Sequence, residues 1–397
     1  MRLAARTAGF SPSPTLAITA RAKRMRAEGI DVLNFGAGEP DFDTPEHIKA
    51  AAVQALKEGF TKYTAAAGID ELKDAVCLKL KRDNGVEYRR ENVIISCGAK
   101  HSLYNLCMVL LQEGDEVLLP APYWVSYPEQ IRMAGAVPVP VWTAEADGFR
   151  VRVEALEAAC TSRTAGLILN SPCNPTGAVL SRKDLEAIAA FAAARDLTVI
   201  SDETYEALTY DGREAVSVAA LGEEVKRRTV VVNSLSKAYA MTGWRIGYAA
   251  GPAEVVRAMD TFQSQVTSNP TSIAQRAAVV ALTGPQDCVR AMRAAFAERR
   301  DAIVAALNGV PGVSCVLPGG AFYAFPNVAG CLGRRAGDRV LRTSADLAEY
   351  LLDEAKVAVV PGAEFGSDTH LRLSYATSTE NILEGVRRMG AALRQLR

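Results

Sequence analysis

The chain has 397 residues, with 45 lysines and arginines against 45 aspartates and glutamates, so its formal net charge is zero. A hydrophobic share of 49% and a charged share of 23% are ordinary globular values, and this length predicts two or three domains around a large core. The neutral balance argues against a nucleic-acid binder or a polybasic membrane protein, and no apolar run approaches the roughly 20 residues that a membrane span needs.

Short β-branched runs alternate with alanine-rich helical stretches through the middle of the chain. Strands are predicted over residues 92–96, 116–119, 165–169, 197–201 and 229–232, and helices over 99–111 and 182–194. Nearly continuous apolar strands that alternate with helices are typical of a mainly parallel sheet covered on both faces. The sequence therefore predicts an α/β fold.

The C-terminal part of the chain has a different pattern. One long helix is predicted over 271–307, followed by strand-like segments within 313–325 and 357–376 and a helix over 344–354. This order suggests a smaller α+β unit, against which the proline-containing segment 11–15 should pack. The predicted division is an N-terminal segment over 1–45, a large domain over 46–298 and a small domain over 299–397.

Cysteine and histidine are used sparingly. The eight cysteines are too few for a disulfide scaffold and none pair as C-x-x-C, while His47, His101 and His370 lie far apart in sequence. A zinc site or a histidine-based triad is therefore not expected, and no metal ion is predicted. The N-terminus has no apolar stretch of signal-peptide length, which makes cytoplasm the default expectation, with a short organelle-targeting remnant as the alternative.

The polar residues that follow the predicted strands carry the functional information, because ligands in open α/β sheets bind beyond the carboxyl ends of the strands. The first strand leads into a helix start whose backbone N–H groups and dipole suit a phosphate. The residues in these positions are Gly98, Ala99 and Lys100 after the first strand, Asn174 after the third, Asp202 and Tyr205 after the fourth, and Ser234, Ser236, Lys237 and Arg245 after the fifth.

Pyridoxal phosphate is a cofactor that uses all of these groups. It needs a lysine for its Schiff base, a carboxylate facing its ring nitrogen and a cradle for its phosphate. An aspartate suits the nitrogen because an opposite charge nearby favours the protonated ring. Taken singly, Lys237 could be a surface lysine, Asp202 a turn cap and Arg372 a member of a surface ion pair.

Five segments together resemble the class I aminotransferases, which are pyridoxal-phosphate enzymes of fold type I, and most closely the bacterial aspartate aminotransferase subgroup. The segments are AGEPDFDTP (37–45), NSPCNPTG (170–177), SDETY (201–205), SLSKAYAMTGWRIGY (234–248) and LRLSYA (371–376). The resemblance covers essentially the whole chain. It implies a large domain with a mainly parallel central sheet flanked by helices, plus a smaller α+β domain.

The resemblance implies a cofactor role for each matching residue. Lys237 would hold pyridoxal phosphate and act as the general base, and Asp202 would face the pyridine nitrogen. Asn174 and Tyr205 would bind the phenolic oxygen, and Trp124 would stack on the ring. The residues that would surround the phosphate are Gly98, Ala99, Ser234, Ser236 and Arg245.

The resemblance also implies the substrate contacts and the oligomeric state. Arg372 would bind the substrate α-carboxylate as a bidentate fork. Lys100 matches the position that meets the distal carboxylate of aspartate in this subgroup. Tyr63 would reach the phosphate of a neighbouring subunit, which implies a homodimer with shared active sites. The remaining contacts implied for the substrate come from Gly38, Trp124 and Asn174, with Ser13 and Thr15 assisting Lys100.

The sequence thus predicts transamination between an L-amino acid, with L-aspartate favoured, and 2-oxoglutarate by a ping-pong mechanism. One alternative is an aromatic or prephenate aminotransferase, or a lyase, on the same fold. Some relatives with prephenate as acceptor carry a lysine where this chain has Ser11, which weakens that reading. The other alternative is a non-catalytic module. Residues 233–236 also depart from the small residues that often precede the lysine in this subgroup.

Overall fold

The computed structural model describes residues 1–4, 7 and 14–397, with backbone only for residues 14–16. Ser11, Ser13 and the Thr15 side chain therefore lie outside the described residues, and so does the predicted packing of segment 11–15. The first elements are helix α1 (Pro14–Ala27), strand β1 (Leu33–Asn34) and helices α2 (Glu46–Lys57) and α3 (Asp70–Asn84).

A seven-stranded sheet forms the middle of the molecule. Its strands are β2 (Val93–Ser96), β3 (Glu116–Ala121), β4 (Val137–Trp142), β5 (Thr164–Asn170), β6 (Thr198–Asp202), β7 (Thr229–Ser234) and β8 (Gly247–Ala250). The helices between them are α4 (Ala99–Leu110), α5 (Ser126–Met133), α6 (Val153–Ala159), α7 (Arg182–Ala194), α8 (Glu223–Arg227) and α9 (Leu235–Ala238). The strand order is β2-β8-β7-β6-β5-β3-β4, and only β8 runs antiparallel to its neighbours. The predicted α/β fold is confirmed.

Alternate residues along the central strands pack into different cores. On β5, Leu167 and Leu169 pack on one face of the sheet, while Ile168 packs on the other. Since both faces are covered by helices, these strands carry no polar stripe, and this explains their continuous apolar sequence.

Two strands of the sheet were not predicted. Strand β4 contains Pro138 and Pro140 and lies at the edge of the sheet, where proline is tolerated. Strand β8 consists of glycine, tyrosine and two alanines, residue types with little strand preference apart from the tyrosine. Strand β4 was missed because its prolines interrupt a run of strand-forming valine and tryptophan, whereas β8 has little local preference and takes its strand conformation from pairing with its neighbours.

The C-terminal part begins with three helices and ends with short strands and two further helices. They are α10 (Ala253–Val266), α11 (Ser272–Thr283), α12 (Asp287–Asn308), β9 (Tyr323–Ala324), β10 (Arg335–Ala336), β11 (Arg339–Val340), α13 (Ser344–Tyr350), β12 (Val357–Ala358), β13 (Val360–Pro361), β14 (Leu371–Ser374) and α14 (Thr379–Leu393). The prediction of one helix over 271–307 was wrong. Gly284 and Pro285 separate α11 from α12, because proline has no N–H to continue the helical hydrogen bonds.

The N-terminal and C-terminal parts of the chain share one core. Strand β1 pairs in parallel with β12, and β9, β14 and β13 form an antiparallel three-stranded sheet. Leu33 and Phe35 pack with Phe296, Phe322 and other side chains of the C-terminal part. The domain boundaries given above stay a prediction. Among the described residues, no helix combines the length and the apolar character needed to cross a membrane.

Candidate active site

A cavity of about 350 Å³ lies beyond the carboxyl ends of β5, β6 and β7. These strands are parallel neighbours, and Asn170 and Asp202 are register partners at their ends. The predicted site residues that line the cavity are Gly38, Ala99, Lys100, Trp124, Asn174, Asp202, Tyr205, Ser234, Ser236, Lys237, Arg245 and Arg372. The structure therefore brings together nearly all the residues that the sequence selected.

Lys237 projects its amine into this cavity. Strand β7 runs directly into α9, and the Ser234 hydroxyl caps the turn by accepting the backbone N–H of Ser236 at 3.3 Å. The Nζ atom donates to the carbonyl oxygen of Gly38. Burial lowers the pKa of Lys237 to about 8, with Arg372 contributing in the same direction. Lys237 is thus not a surface lysine, and its amine can lose its proton near neutral pH.

Asp202 is a buried carboxylate held by two donors. The Tyr127 hydroxyl donates to Oδ2 at 2.7 Å, and the backbone N–H of Thr204 donates to Oδ1 at 3.1 Å. Burial raises the pKa of Asp202, while these hydrogen bonds and the charge of Lys237 oppose that rise. No lysine or arginine forms an ion pair with Asp202 within the described ranges, which leaves this carboxylate suited to a cationic partner in the cavity.

Arg245 lies over the N-terminus of α4. Its guanidinium donates to the carbonyl oxygens of Thr242 at 2.8 Å and Cys97 at 3.2 Å. Gly98 precedes the helix with φ +90°, and a Cβ there would collide with the Arg245 guanidinium. Because backbone N–H groups and a cation converge at this point, it suits a phosphate.

Arg372 is the most deeply buried cation of the cavity, with 1% of its surface exposed. Its Nη2 donates to the carbonyl oxygen of Gly36 at 2.8 Å and its Nη1 to Oδ1 of Asn174 at 3.1 Å. The guanidinium stacks against the rings of Tyr323 and Phe365, at 4.6 and 4.9 Å.

The guanidinium of Arg372 has a free hydrogen-bond donor and no anionic partner in the part of the chain that the structure describes. Its Nε atom has no hydrogen-bond partner, and no acidic side chain of the described chain pairs with the guanidinium. Burial lowers the pKa of Arg372, but a guanidinium remains charged in proteins. The surface ion pair considered from the sequence is therefore wrong, and the site is ready for a carboxylate.

Lys100 and Trp124 line the cavity beside each other. The Nζ atom of Lys100 lies 4.9 Å from the centroid of the Trp124 ring, a cation–π contact. That ring packs edge-on against Tyr127, with 5.3 Å between the centroids. The tryptophan therefore sits between the cation and the tyrosine that holds Asp202.

Two predicted residues have surroundings that the sequence did not suggest. The Tyr205 hydroxyl lies 2.7 Å from the Tyr323 hydroxyl, so part of its hydrogen-bonding capacity is used within the protein. The Tyr63 side chain is 91% exposed and does not line the cavity of its own chain. Its predicted contact with a neighbouring subunit stays a prediction.

Sequence reasoning missed two aromatic residues of the site. Tyr323 faces Gly38, Tyr205 and Arg372, and Tyr127 donates to Asp202. Tyr127 follows Trp124 by three positions, at the start of α5, and this closeness in sequence was the available signal. The strand that carries Tyr323 has two residues, too few to show a period.

These groups fit pyridoxal phosphate. Lys237 offers an amine whose pKa is lowered, Asp202 offers a buried anion for the ring nitrogen, and Arg245 with the start of α4 offers a phosphate cradle. The described residues contain no cluster of three or more histidine, cysteine or acidic side chains that could hold a metal ion.

Comparisons with known proteins agree on one family. The model of the family described as aminotransferase class I and II matches residues 30–389. The aspartate aminotransferase of Geobacillus stearothermophilus is 49% identical, over 98% of this chain and 98% of that protein. The aspartate/prephenate aminotransferase of Nitrosomonas europaea is 46% identical, over 99% of this chain and all of that protein.

Two solved structures resemble this chain over nearly its whole length. The crystal structure of the aspartate aminotransferase from Rhizobium meliloti superimposes with a TM-score of 0.96 and 45% identity, and each chain is covered completely. The Thermus thermophilus aspartate aminotransferase with maleate gives a TM-score of 0.93 and 44% identity, over 99% of this chain and all of that one.

Proposed function

The chain belongs to the class I and II aminotransferase family, and we propose that it transfers the amino group of L-aspartate to 2-oxoglutarate, giving oxaloacetate and L-glutamate. The family depends on pyridoxal phosphate, which when bound supplies a protonated ring that withdraws electrons from the substrate's α-carbon. The observation that carries the proposal is the buried guanidinium of Arg372, which lacks an acidic partner in the described chain and lines one cavity with Lys237 and Asp202.

Arg372 binds the α-carboxylate of the amino acid. A guanidinium forms two parallel hydrogen bonds with a carboxylate, which fixes the orientation of the substrate as well as its position. The Asn174 side chain, already 3.1 Å from Nη1, holds the fork in place. The stacked rings of Tyr323 and Phe365 exclude water from the guanidinium, so a carboxylate in this site is bound strongly.

Lys237 moves the proton. Its Nζ accepts the proton that leaves the α-carbon, and it can do so because burial lowers the pKa of the amine to about 8. Asp202 stays anionic through its bonds from Tyr127 and Thr204 and stabilises positive charge at the ring nitrogen. The turn from Ser234 to Ser236, with Arg245, binds the phosphate and thereby orients the reacting atoms toward Lys237.

Lys100 supports aspartate as the donor. It gives the cavity a further cation beside Arg372, and three of the four relatives named above are called aspartate aminotransferases, one of them solved with maleate, a four-carbon dicarboxylate. A dicarboxylate uses Arg372 and Lys100 together, whereas alanine uses only Arg372. Prephenate is the second candidate acceptor, because relatives of similar identity are named aspartate/prephenate aminotransferases.

The test begins with the visible spectrum of the purified protein loaded with pyridoxal phosphate. Addition of L-aspartate without a keto acid should remove the band of the bound cofactor, and 2-oxoglutarate should restore it. Lys100→Ala should slow the response to aspartate about tenfold more than the response to alanine, with Lys183→Ala, an exposed lysine on α7, as control. If aspartate left the band unchanged, the assignment of aspartate as donor would be overturned. If prephenate restored the band and 2-oxoglutarate did not, the assignment of 2-oxoglutarate as acceptor would be overturned.

We also propose that the enzyme is a cytoplasmic homodimer in which Tyr63 completes the phosphate site of the partner. The exposure of this tyrosine and its absence from the lining of its own cavity support the proposal. Exchange of subunits between Lys237→Ala and Tyr63→Ala proteins should give hybrids with one intact site. Their activity should exceed the sum of the two parent proteins; an unchanged sum would contradict the shared site.

A further inference from the structure

A network of buried and half-buried polar side chains lies behind the turn that carries Lys237. It consists of Lys79 and Asn84 on α3, Glu206 after β6, and Asn233 on β7. Glu206 Oε1 accepts from Lys79 Nζ and, at 2.6 Å, from Asn233 Nδ2, while its Oε2 accepts from Asn84 Nδ2. Lys79 Nζ also donates to Asn84 Oδ1 at 2.7 Å. The network therefore ties a helix to the ends of two central strands.

The network ends on the main chain of the lysine turn. Oδ1 of Asn233 accepts the backbone N–H of Ser234 at 2.7 Å. The Ser234 hydroxyl then accepts the N–H of Ser236, the residue before Lys237. Because Glu206 accepts from Nδ2 of Asn233, the amide is oriented with its oxygen toward Ser234. Each link thus depends on the previous one.

We propose that Lys79, Glu206 and Asn233 are positioning residues that hold the turn Ser234–Lys237, and with it the phosphate cradle and the lysine amine. None of the three lines the cavity that contains the Lys237 amine. The inference rests on the proposed function only for the phosphate role of Ser234 and Ser236. Asn233 also begins the stretch in which this chain departs from the small residues common before the lysine.

The ion pair is an expensive way to stabilise a fold. The Lys79 and Glu206 side chains are only 8% and 12% exposed. Removing two such charges from water costs several kcal/mol, and apolar side chains of similar volume often serve stability as well or better. The Lys79–Glu206 ion pair is explained if Glu206 serves to orient Asn233. An apolar residue at position 206 would leave Nδ2 of Asn233 without its acceptor.

The network also joins the two segments that handle the cofactor. Glu206 follows Asp202 by four positions and Asn233 precedes Lys237 by four, so their hydrogen bond connects the carboxylate segment to the lysine segment. Glu203 lies nearby, bonded to Ser201 and Ser217, and burial together with the charge of Glu206 raises the pKa of Glu203 to about 8. Lys79 forms its ion pair with Glu206, and its charge partly opposes the rise in the pKa of Glu203.

The first experiment compares Asn233→Ala with Asn381→Ala, an exposed asparagine on α14. The holoenzyme is dialysed, and the rate at which the absorption band of bound pyridoxal phosphate disappears is measured. In a separate titration, the spectrum is recorded against pH to find the pH at which this band changes. Asn233→Ala should release the cofactor at least tenfold faster and shift the transition, while Asn381→Ala should match the wild type. Release within twofold of the control would overturn the proposal.

A second variant separates positioning from stability and decides the question if Asn233→Ala does not fold. Lys79→Met combined with Glu206→Leu replaces the pair by apolar side chains, so its melting temperature should fall by only a few degrees, which is the cost of the Asn84 and Asn233 amide donors that lose Glu206 as acceptor. Its cofactor release should still be at least fivefold faster, with KM for aspartate within twofold. If this variant released the cofactor at the wild-type rate, the network would serve only stability and the proposal would be overturned. Because release needs no amino acid, this result stands apart from the choice of substrate.

Discussion

The cavity has two walls that are built in different ways. The sheet wall carries Asp202 and Lys237, each at or just beyond the end of a strand in the seven-stranded sheet. The C-terminal wall carries Arg372 and Tyr323 from short strands, held against Gly36 across 336 positions of sequence. Under the proposed function, the sheet wall handles the cofactor and the proton, and the C-terminal wall binds the carboxylate. In that assignment, a mainly parallel sheet positions the groups of the chemistry, while short strands of the C-terminal part recognise the substrate.

The largest effect should follow from removing the amine of the sheet wall. Lys237→Ala should lower the single-turnover rate with aspartate by about 10⁴-fold, the upper range for general acid–base catalysis, because the variant lacks the amine proposed to accept the α-proton. Circular dichroism should show an unchanged fold. A near-wild-type rate would contradict the central role of Lys237.

The carboxylate of the same wall should come second. Asp202→Asn keeps the shape and the bond from Thr204 but removes the charge opposite the ring nitrogen. We expect kcat to fall about 100- to 1000-fold, the range seen when an electrostatic stabiliser is lost, with KM within a few-fold. If KM rose while kcat stayed constant, the division between the two walls would not hold.

The C-terminal wall should show the opposite signature. Arg372→Ala removes a charge-assisted contact of about 1.5–3 kcal/mol, so KM should rise roughly 10- to 150-fold for aspartate and alanine alike. Arg387→Ala, an exposed arginine on α14, serves as the control. A large fall in kcat at constant KM would show that Arg372 acts in the chemical step, which would contradict the difference between the two walls.

The smallest effect should come from Tyr127→Phe, which removes one donor from Asp202. The loss of one hydrogen bond of about 1 kcal/mol predicts a roughly fivefold lower kcat at neutral pH. Burial raises the pKa of Asp202 and the Tyr127 bond opposes that rise, so the pKa climbs further in the variant. The carboxylate is then protonated at higher pH, and the acid limb of the kcat profile should move upward. An unmoved limb would contradict the role of Tyr127.

The accuracy of sequence-based prediction differs between the two walls for a physical reason. Lys237 and Asp202 follow apolar strands closely, and parallel strands place such residues together at one edge of a sheet. Tyr323 lies on a strand of two residues, so it showed no local pattern. Within the sheet, β8 was also missed, because it owes its conformation to its neighbours. The long helix predicted over 271–307 failed at Gly284 and Pro285, a break that is visible in the sequence.

By itself, the sequence determined the α/β fold, the family and the residues that meet at the strand ends, because apolar strand runs and contiguous motifs are local properties. The tertiary structure alone decided the environment of Arg372, whose partners Gly36 and Asn174 are 336 and 198 positions away. It also decided the lowered pKa of Lys237 and the bond from Tyr127 to Asp202. Burial and hydrogen bonding between distant segments depend on how layers pack, which no local pattern encodes.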